Sequence, residues 1–145
     1  MRYLAKRVER ICDELYRLRI VQRIPLTDLI CKKGTYIRPE AADAATPPWT
    51  SFDSRTMHWY GPDEHYWFRT EFTVPKALNG KAMWLNVRTQ IEGDDGKNPQ
   101  FLLFVNNVPV QGMDMNHRDV LLSPKAISGE KLVFDLQAYT GTIHN

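Results

Sequence analysis

Residues 98–122 read NPQFLLFVNNVPVQGMDMNHRDVLL, and this stretch shows how the chain folds. Its apolar run over 101–105 is typical of a strand, and Asn106-Asn107 is a pair that tolerates the positive φ of a two-residue hairpin turn. A second short strand over 108–111 then leads into a polar loop. Five polar side chains crowd that loop: Asp114, Asn116, His117, Arg118 and Asp119. Such density in a loop indicates a binding site or a docking surface.

Further strands are predicted on both sides of this hairpin. Residues 65–74, 82–89 and 131–138 each alternate between apolar and polar side chains, and residues 119–122 form a shorter run. In the segment 65–74 one face holds Tyr66, Phe68, Phe72 and Val74, and the other holds Arg69, Glu71 and Thr73. In the segment 82–89 the inward set is Met83, Leu85 and Val87, and the outward set is Trp84, Asn86 and Arg88. In the segment 131–138 the apolar positions are Leu132, Phe134 and Leu136. At least six short strands with local turns predict a mainly β fold, an antiparallel β-sandwich preceded by an N-terminal amphipathic helix.

The helix is predicted over residues 2–19, and Pro25 stops any continuation. Its apolar face holds Leu4, Val8, Ile11, Leu15 and Leu18. Three interpretations remain open: packing against its own or a neighbouring domain, lying on a membrane surface, or binding nucleic acid. We assign residues 1–35 to the helix and a connector, and residues 36–145 to the β-sandwich domain, as one structural unit. Within it, residues 38–56 are predicted to be a loop.

Size and charge exclude several classes of protein. The 145 residues suit one domain, and a formal net charge of +2 is too small to predict a nucleic-acid partner. The opening residues have no apolar signal-peptide core, and no later run is long enough to span a bilayer. We therefore expect a cytoplasmic protein without a membrane partner, in which Cys12 and Cys31 are free thiols; a disulfide between them is the alternative.

A search for reaction chemistry identifies no catalytic, cofactor-binding or metal-ligating residue. The four histidines lack the close pairing of a metal site, and no Cys-x-x-Cys, Gly-x-Ser-x-Gly or phosphate-binding glycine loop occurs. Glu92, Asp94 and Asp95 form an acidic turn that we interpret as solvated. The tryptophans allow two interpretations, stacking on sugar rings or packing in a core or domain interface; they are Trp49, Trp59, Trp67 and Trp84.

Several segments together resemble the N-terminal region of the glycoside hydrolase family 38 α-mannosidases, in the branch of the cytosolic and vacuolar enzymes and their bacterial relatives. The segments are YRLRI at 16–20, WFRTEFTVP at 67–75, VQGMDMNHR at 110–118 and AYTG at 138–141. The run from Gln111 to Arg118 is the most specific of these. Asn107 departs from the family, which usually has glycine there, and nothing in this chain matches the family's catalytic residues.

The resemblance implies a jelly-roll sandwich similar to galactose-binding domains, placed before a retaining α-mannosidase barrel. The catalytic residues and a divalent metal, zinc or similar, would lie in that C-terminal catalytic domain, so residues 1–145 alone would be inactive. This domain would pack on the barrel, with a docking or cleft-edge loop formed by Gln111, Asp114, Asn116, His117 and Arg118. Without the barrel, exposed apolar surface would favour self-association.

Two alternatives to this function remain. In the first, the chain is an independent carbohydrate-binding module for mannose-containing glycans, which uses exposed aromatic side chains. In the second, it is an interaction domain whose basic helix binds an acidic partner. The helix region supports the second alternative because residues 1–33 carry nine Lys or Arg against four Asp or Glu.

Overall fold

The computed structural model describes residues 2–88 and 99–141. The acidic turn predicted over 92–96 and the final residue of the strand predicted over 82–89 lie outside these ranges. The helices are α1 (Arg2–Leu18), α2 (Pro39–Ala44) and a short 3-10 helix (Lys76–Leu78). The strands are β1 (Asp28–Lys33), β2 (Thr50–Asp53), β3 (His65–Thr73), β4 (Met83–Asn86), β5 (Gln100–Val105), β6 (Val108–Met113), β7 (Asp119–Ser123) and β8 (Lys131–Tyr139).

The strands form two antiparallel sheets. The larger sheet has six strands in the order β2-β1-β3-β8-β5-β6, and the smaller sheet pairs β4 with β7. Every strand pairing is antiparallel. The prediction of a mainly β chain with antiparallel sheets and a leading helix is therefore confirmed. Among the described residues, no helix combines the length and apolar character needed to cross a bilayer.

The hairpin predicted at Asn106-Asn107 is confirmed. Both residues have positive φ, 50° at Asn106 and 67° at Asn107, and Val105 pairs with Val108 across the turn. This left-handed backbone matches the twist of the flanking strands, which is why asparagine or glycine is favoured there. The Asn106 Oδ1 atom also accepts the backbone N–H of Val133 at 2.8 Å, which fixes the turn to β8.

The main hydrophobic core takes side chains from both sheets. The larger sheet supplies Phe52, Phe68, Phe101, Leu103, Met113, Leu132, Phe134 and Ala138, and the smaller sheet supplies Met83 and Val120. The inward positions predicted for β3, β4 and β8 are thus correct. Each large apolar side chain buried here contributes about 1.5–3 kcal/mol.

The sequence was wrong about residues 38–56, which contain α2 and β2 rather than a continuous loop. Pro39 stands in the first turn of α2, where its missing N–H is not needed, and three alanines complete the helix. Phe52 points from β2 into the core. The proline-rich composition hid both elements, since each is shorter than a period can reveal.

The connector assigned to residues 1–35 also contains a strand. β1 pairs with β2 on one side and β3 on the other, so residues 28–33 belong to the sheet. The connector is therefore shorter than predicted. The strand was missed because its sequence, DLICKK, does not alternate between polar and apolar side chains, and its one buried residue is the charged Lys32.

Candidate functional site

The loop between β6 and β7 is held in one shape by Asp114. The Asp114 Oδ1 atom accepts the backbone N–H groups of Asn116 and His117, both at 2.7 Å. The His117 Nδ1 atom lies 3.0 Å from the same oxygen. The His117 side chain, together with those two backbone N–H groups, lowers the pKa of Asp114. A carboxylate with these local contacts is a brace for the loop.

The loop presents its other polar side chains to solvent. Asn116, His117 and Arg118 are exposed, whereas Met115 is buried beneath them. The Arg118 Nε atom donates to the backbone oxygen of Met115, and the Arg118 carbonyl accepts the Val87 N–H at 3.0 Å. These contacts join the loop to the end of β4. Four of the five residues predicted for the docking or cleft-edge loop are brought together here: Asp114, Asn116, His117 and Arg118.

Gln111 lies apart from these four in the chain, on strand β6. It pairs with Leu103 of β5 and is half-buried. Its position places it in the six-stranded sheet and not in the loop itself.

The outer face of the two-stranded sheet continues the loop surface. Trp84 pairs with Leu121, and Asn86 pairs with Asp119, so these four side chains share one face. Trp84 is 59% exposed and Leu121 is 45% exposed. The Asn86 amide donates to Asp119 at 2.9 Å. An apolar pair therefore lies beside a polar pair that touches the loop.

We call this region the β4–β7 face: Trp84, Asn86, Asp119 and Leu121, with the loop residues 116–118. Arg88 extends it, because its Nε atom donates to Asn86 Oδ1 at 3.0 Å. An aromatic and aliphatic centre with an amide, a carboxylate and guanidinium groups around it is the composition of a protein interface. The sequence predicted the loop, and the outward alternation of β4 was the signal for the rest.

A second cluster lies on the opposite face of the six-stranded sheet. Arg69 and Asp135 are direct partners across β3 and β8, and the Arg69 Nε atom donates to Asp135 Oδ1 at 2.6 Å. The same guanidinium donates to Asp43 Oδ1 at 2.7 Å. The Asp135 side chain has 0% of its surface exposed. Arg69 therefore joins a fully buried carboxylate to a half-exposed one on α2.

Burial disfavours the charged forms of both Arg69 and Asp135. Burial raises the pKa of Asp135, and the adjacent Arg69 only partly offsets that. Burial alone would lower the pKa of Arg69, but its hydrogen bonds to Asp43 and Asp135 outweigh burial and raise it. The Asp135 Oδ2 atom has no hydrogen-bond partner among the described residues. The cluster thus depends on one guanidinium.

Lys32 fixes α2 above the same face. Its side chain is almost fully buried, and its amine donates to the carbonyls of Ala42 and Ala45 at the end of α2. The ammonium lies 5.2 Å from the Tyr36 ring and 5.9 Å from the Trp49 ring. A cation at a helix C-terminus is favourable, and aromatic faces help to replace its lost water. Lys32 is therefore a clamp for the helix.

A shallow cleft borders the cluster. Its volume is about 340 Å³, and its lining is Asp43, Arg69, Glu71, Asn106, Asn107 and Val133. This size falls near the lower limit of small-ligand pockets. The sequence missed this site, because Asp135 and Arg69 occupy outward positions that alternation assigns to solvent.

The four tryptophans do not form one platform. Trp67 has 0% of its surface exposed and packs against Ala42 and Phe104, so it offers no ring face to a sugar. For Trp67 the burial favours core packing, one of the two interpretations of the tryptophans. Trp59 packs edge-on against core aromatics, with its ring centroid 5.4 Å from that of Phe68.

The remaining two tryptophans lie on different surfaces. Trp49 is half-buried, donates to Asp43 at 2.9 Å and stacks under Arg69 at 4.8 Å. Trp84 belongs to the β4–β7 face. The sugar-stacking prediction therefore rests on Trp49 beside the cleft and on Trp84.

Metal binding has no candidate in the part of the chain that the structure describes, where no three His, Cys, Asp or Glu side chains come together. Cys12 and Cys31 are both free. When compared with protein-family models, curated proteins and solved structures, the chain matches none of them.

Proposed function

We propose that this chain is a non-catalytic N-terminal domain of a metal-dependent, retaining α-mannosidase. It packs on the catalytic barrel of the same polypeptide through the β4–β7 face. The observation that carries the docking role is the exposed Trp84–Leu121 pair beside the braced loop. The assignment to the α-mannosidases rests on the sequence resemblance, above all on residues 111–118.

The architecture that fits this role is a β-sandwich of the jelly-roll, galactose-binding-like type. Two antiparallel sheets that share one core support it. The free thiols of Cys12 and Cys31 fit a cytoplasmic enzyme. The divalent metal, zinc or similar, belongs to the barrel in this proposal.

The loop is suited to shape the edge of the substrate cleft. Asp114 holds the backbone, so His117 and Arg118 are presented in a fixed position. A guanidinium can form two parallel hydrogen bonds with a carboxylate on the barrel. A preformed loop loses little conformational entropy on docking, which strengthens the contact.

The first test is to sequence the source gene beyond Asn145. We expect a barrel domain that carries His and Asp metal ligands. Residues 1–145 and that barrel, produced separately, should associate in calorimetric titration. Trp84→Ala should weaken this association at least tenfold, since buried tryptophans dominate interface energies.

Tyr60→Ala is the matched control, because Tyr60 is 80% exposed but lies outside the β4–β7 face. Equal affinities for the Trp84→Ala variant and the native chain would contradict the docking surface. A gene without a following barrel, or mannosidase activity of residues 1–145 with added divalent metal, would contradict the proposal itself.

A carbohydrate-binding module is the second candidate, and the cleft is the observation that favours it. Asp43, Glu71 and the two asparagines offer hydrogen-bonding groups beside Trp49. Mannose and manno-oligosaccharides should then change the tryptophan fluorescence at millimolar concentration. Trp49→Ala should abolish that change and Trp84→Ala should leave it. No change with any of these sugars removes this candidate.

A further inference from the structure

The apolar face of α1 is exposed along its full length. Leu4, Val8, Ile11, Leu15 and Leu18 retain between 53% and 73% of their surface. None of them belongs to the two core clusters of the described residues. This is a contiguous apolar stripe without a covering element in the same part of the chain. A stripe of this kind marks an interaction surface.

The spacing of the stripe identifies the shape of its partner. The five residues follow steps of four, three, four and three, which is a strict repeat of 3.5 residues. A helix that packs on a globular core has a wider face, whereas a narrow stripe with this repeat is the seam of a coiled coil. The partner that fits such a seam is another helix with the same repeat.

We propose that α1 pairs with α1 of a second copy of this chain, in an antiparallel coiled coil. This inference is independent of the mannosidase proposal and of the β4–β7 face. In the antiparallel register Leu4 packs beside Leu15 of the second copy, and Val8 packs beside Ile11 of the second copy. The β-branched Val8 and Ile11 therefore meet each other and leucines meet leucines, which fills each layer evenly.

Charge complementarity favours a second copy of α1 as the partner, and an antiparallel direction for the pair. Arg7 and Glu14 flank the seam on one side, and in the antiparallel pair each Arg7 lies beside Glu14 of the second copy. Within α1 the other flank carries Ala5 and Cys12, which are small and uncharged. Two opposite-charge contacts thus form at once, from one helix sequence.

A parallel pair is less favourable for two reasons. Its flanking contacts would set Arg7 against the uncharged Cys12, and Glu14 against Arg19, which lies beyond the last residue of α1. It would also bring the two β domains together at one end of the pair. The antiparallel pair keeps both charged partners within α1 and places the two β domains at opposite ends of the pair.

Sedimentation velocity of the full chain over about 5 to 500 µM tests the pairing, because association is concentration-dependent. We expect a shift from monomer to dimer, with no larger species. Ile11→Asn should abolish the dimer, since it places an amide in the seam. Arg10→Asn, on the opposite side of α1, is the matched control and should leave the dimer unchanged.

Charge reversal tests the direction. Glu14→Arg brings two arginines together at each contact and should weaken the dimer by roughly tenfold. Combining it with Arg7→Glu restores opposite charges in the antiparallel pair, so the dimer should recover. In a parallel pair the double variant would instead set the new arginine against Arg19 of the second copy, and no recovery would follow.

Several outcomes would overturn the proposal. They are a native chain that stays monomeric over the whole range, an Ile11→Asn variant that still dimerises, and a double variant without recovery. A dimer that Trp84→Ala abolishes would place the contact on the β4–β7 face instead. Binding of the monomer to vesicles of anionic lipid, without dimerisation, would identify a membrane as the partner of the stripe.

Discussion

Replacement of Arg69 by methionine isolates the buried carboxylate of Asp135. The substitution keeps the length of the side chain but removes the guanidinium that donates to Asp135 at 2.6 Å. The Asp135 side chain is fully buried, and its Oδ2 atom already has no partner among the described residues. Removing one member of a buried ion pair strongly destabilises a protein, because the remaining charge is uncompensated.

Protonation of Asp135 sets an upper limit on the electrostatic loss. At pH 7 the cost of protonating a carboxyl whose unfolded-state pKa is about 3.9 is about 4 kcal/mol, and at pH 5 it is about 1.5 kcal/mol. We therefore expect Arg69→Met to lower the free energy of unfolding by about 3–4 kcal/mol at pH 7, within the range found for broken buried pairs. The lost pair with the half-exposed Asp43 adds little, because solvent screens it.

The sign of the pH dependence follows from the raised pKa of Asp135. Burial raises this pKa in the folded state, so its contribution to stability is present below the unfolded pKa and is lost as the pH rises through the folded pKa. Without Arg69 the folded pKa rises further. The deficit of Arg69→Met relative to the native chain should therefore shrink from about 3–4 to about 1–1.5 kcal/mol between pH 7 and pH 5. Other titrating groups cancel in this difference.

Urea unfolding followed by tryptophan fluorescence measures the effect. With a slope of about 2 kcal/mol per molar urea, the midpoint at pH 7 should fall by about 1.5–2 M. Asp135→Asn in the same chain should recover most of the loss and remove its pH dependence. Arg55→Met is the matched control, since Arg55 also pairs with carboxylates but is exposed, and should change stability little. A deficit below about 1 kcal/mol at pH 7, or one that does not shrink at pH 5, would refute the reasoning.

Three other predictions concern separate parts of the molecule. Trp67→Ala should lower the free energy of unfolding by about 3–5 kcal/mol in urea titration, whereas the exposed Trp84→Ala should change it by less than about 1 kcal/mol; equal losses would contradict the burial difference. Asn107→Val should cost about 1–2 kcal/mol in thermal unfolding because φ is 67°, and Asn107→Gly should cost nothing. The Asp53 carboxyl should titrate in NMR with a pKa of about 2, because Arg55 donates to it, so its contribution to stability is present above the ordinary pKa and lost as the pH falls through about 2. Arg55→Met should raise that pKa, and an unchanged value would contradict the assignment.

The sequence predicted those elements that carry a period or a distinctive turn. Alternation in β3, β4 and β8 identified the inward side chains, and Asn106-Asn107 identified the hairpin. The missed elements, β1, β2 and α2, are only six, four and six residues long. Segments this short take their conformation from the neighbours they pair with, and a local pattern cannot show those neighbours.

The two candidate sites also differ in how much of each could be predicted from the sequence. The loop was visible because its polar residues are adjacent in the chain, but their roles were not, because a carboxylate that braces a loop and one that binds a ligand look alike in a sequence. Arg69 and Asp135 are 66 positions apart, and only strand pairing brings them together. Their outward register was predicted correctly for Arg69, and what the sequence did not show was that α2 covers this face.

This cover distinguishes the outer faces of the two sheets. On the six-stranded sheet, α2 covers part of the outward side and is held there by Lys32, and Arg69 joins the buried Asp135 to Asp43 of α2. On the two-stranded sheet, the outward side chains of Trp84 and Leu121 have no such cover among the described residues. Each of the two outer faces carries a tryptophan at an outward position, Trp67 on β3 and Trp84 on β4. Trp67 is covered by Ala42 of α2 and by Phe104. Trp84 remains exposed, and an exposed tryptophan beside Leu121 is the reason to search for a partner outside the described residues.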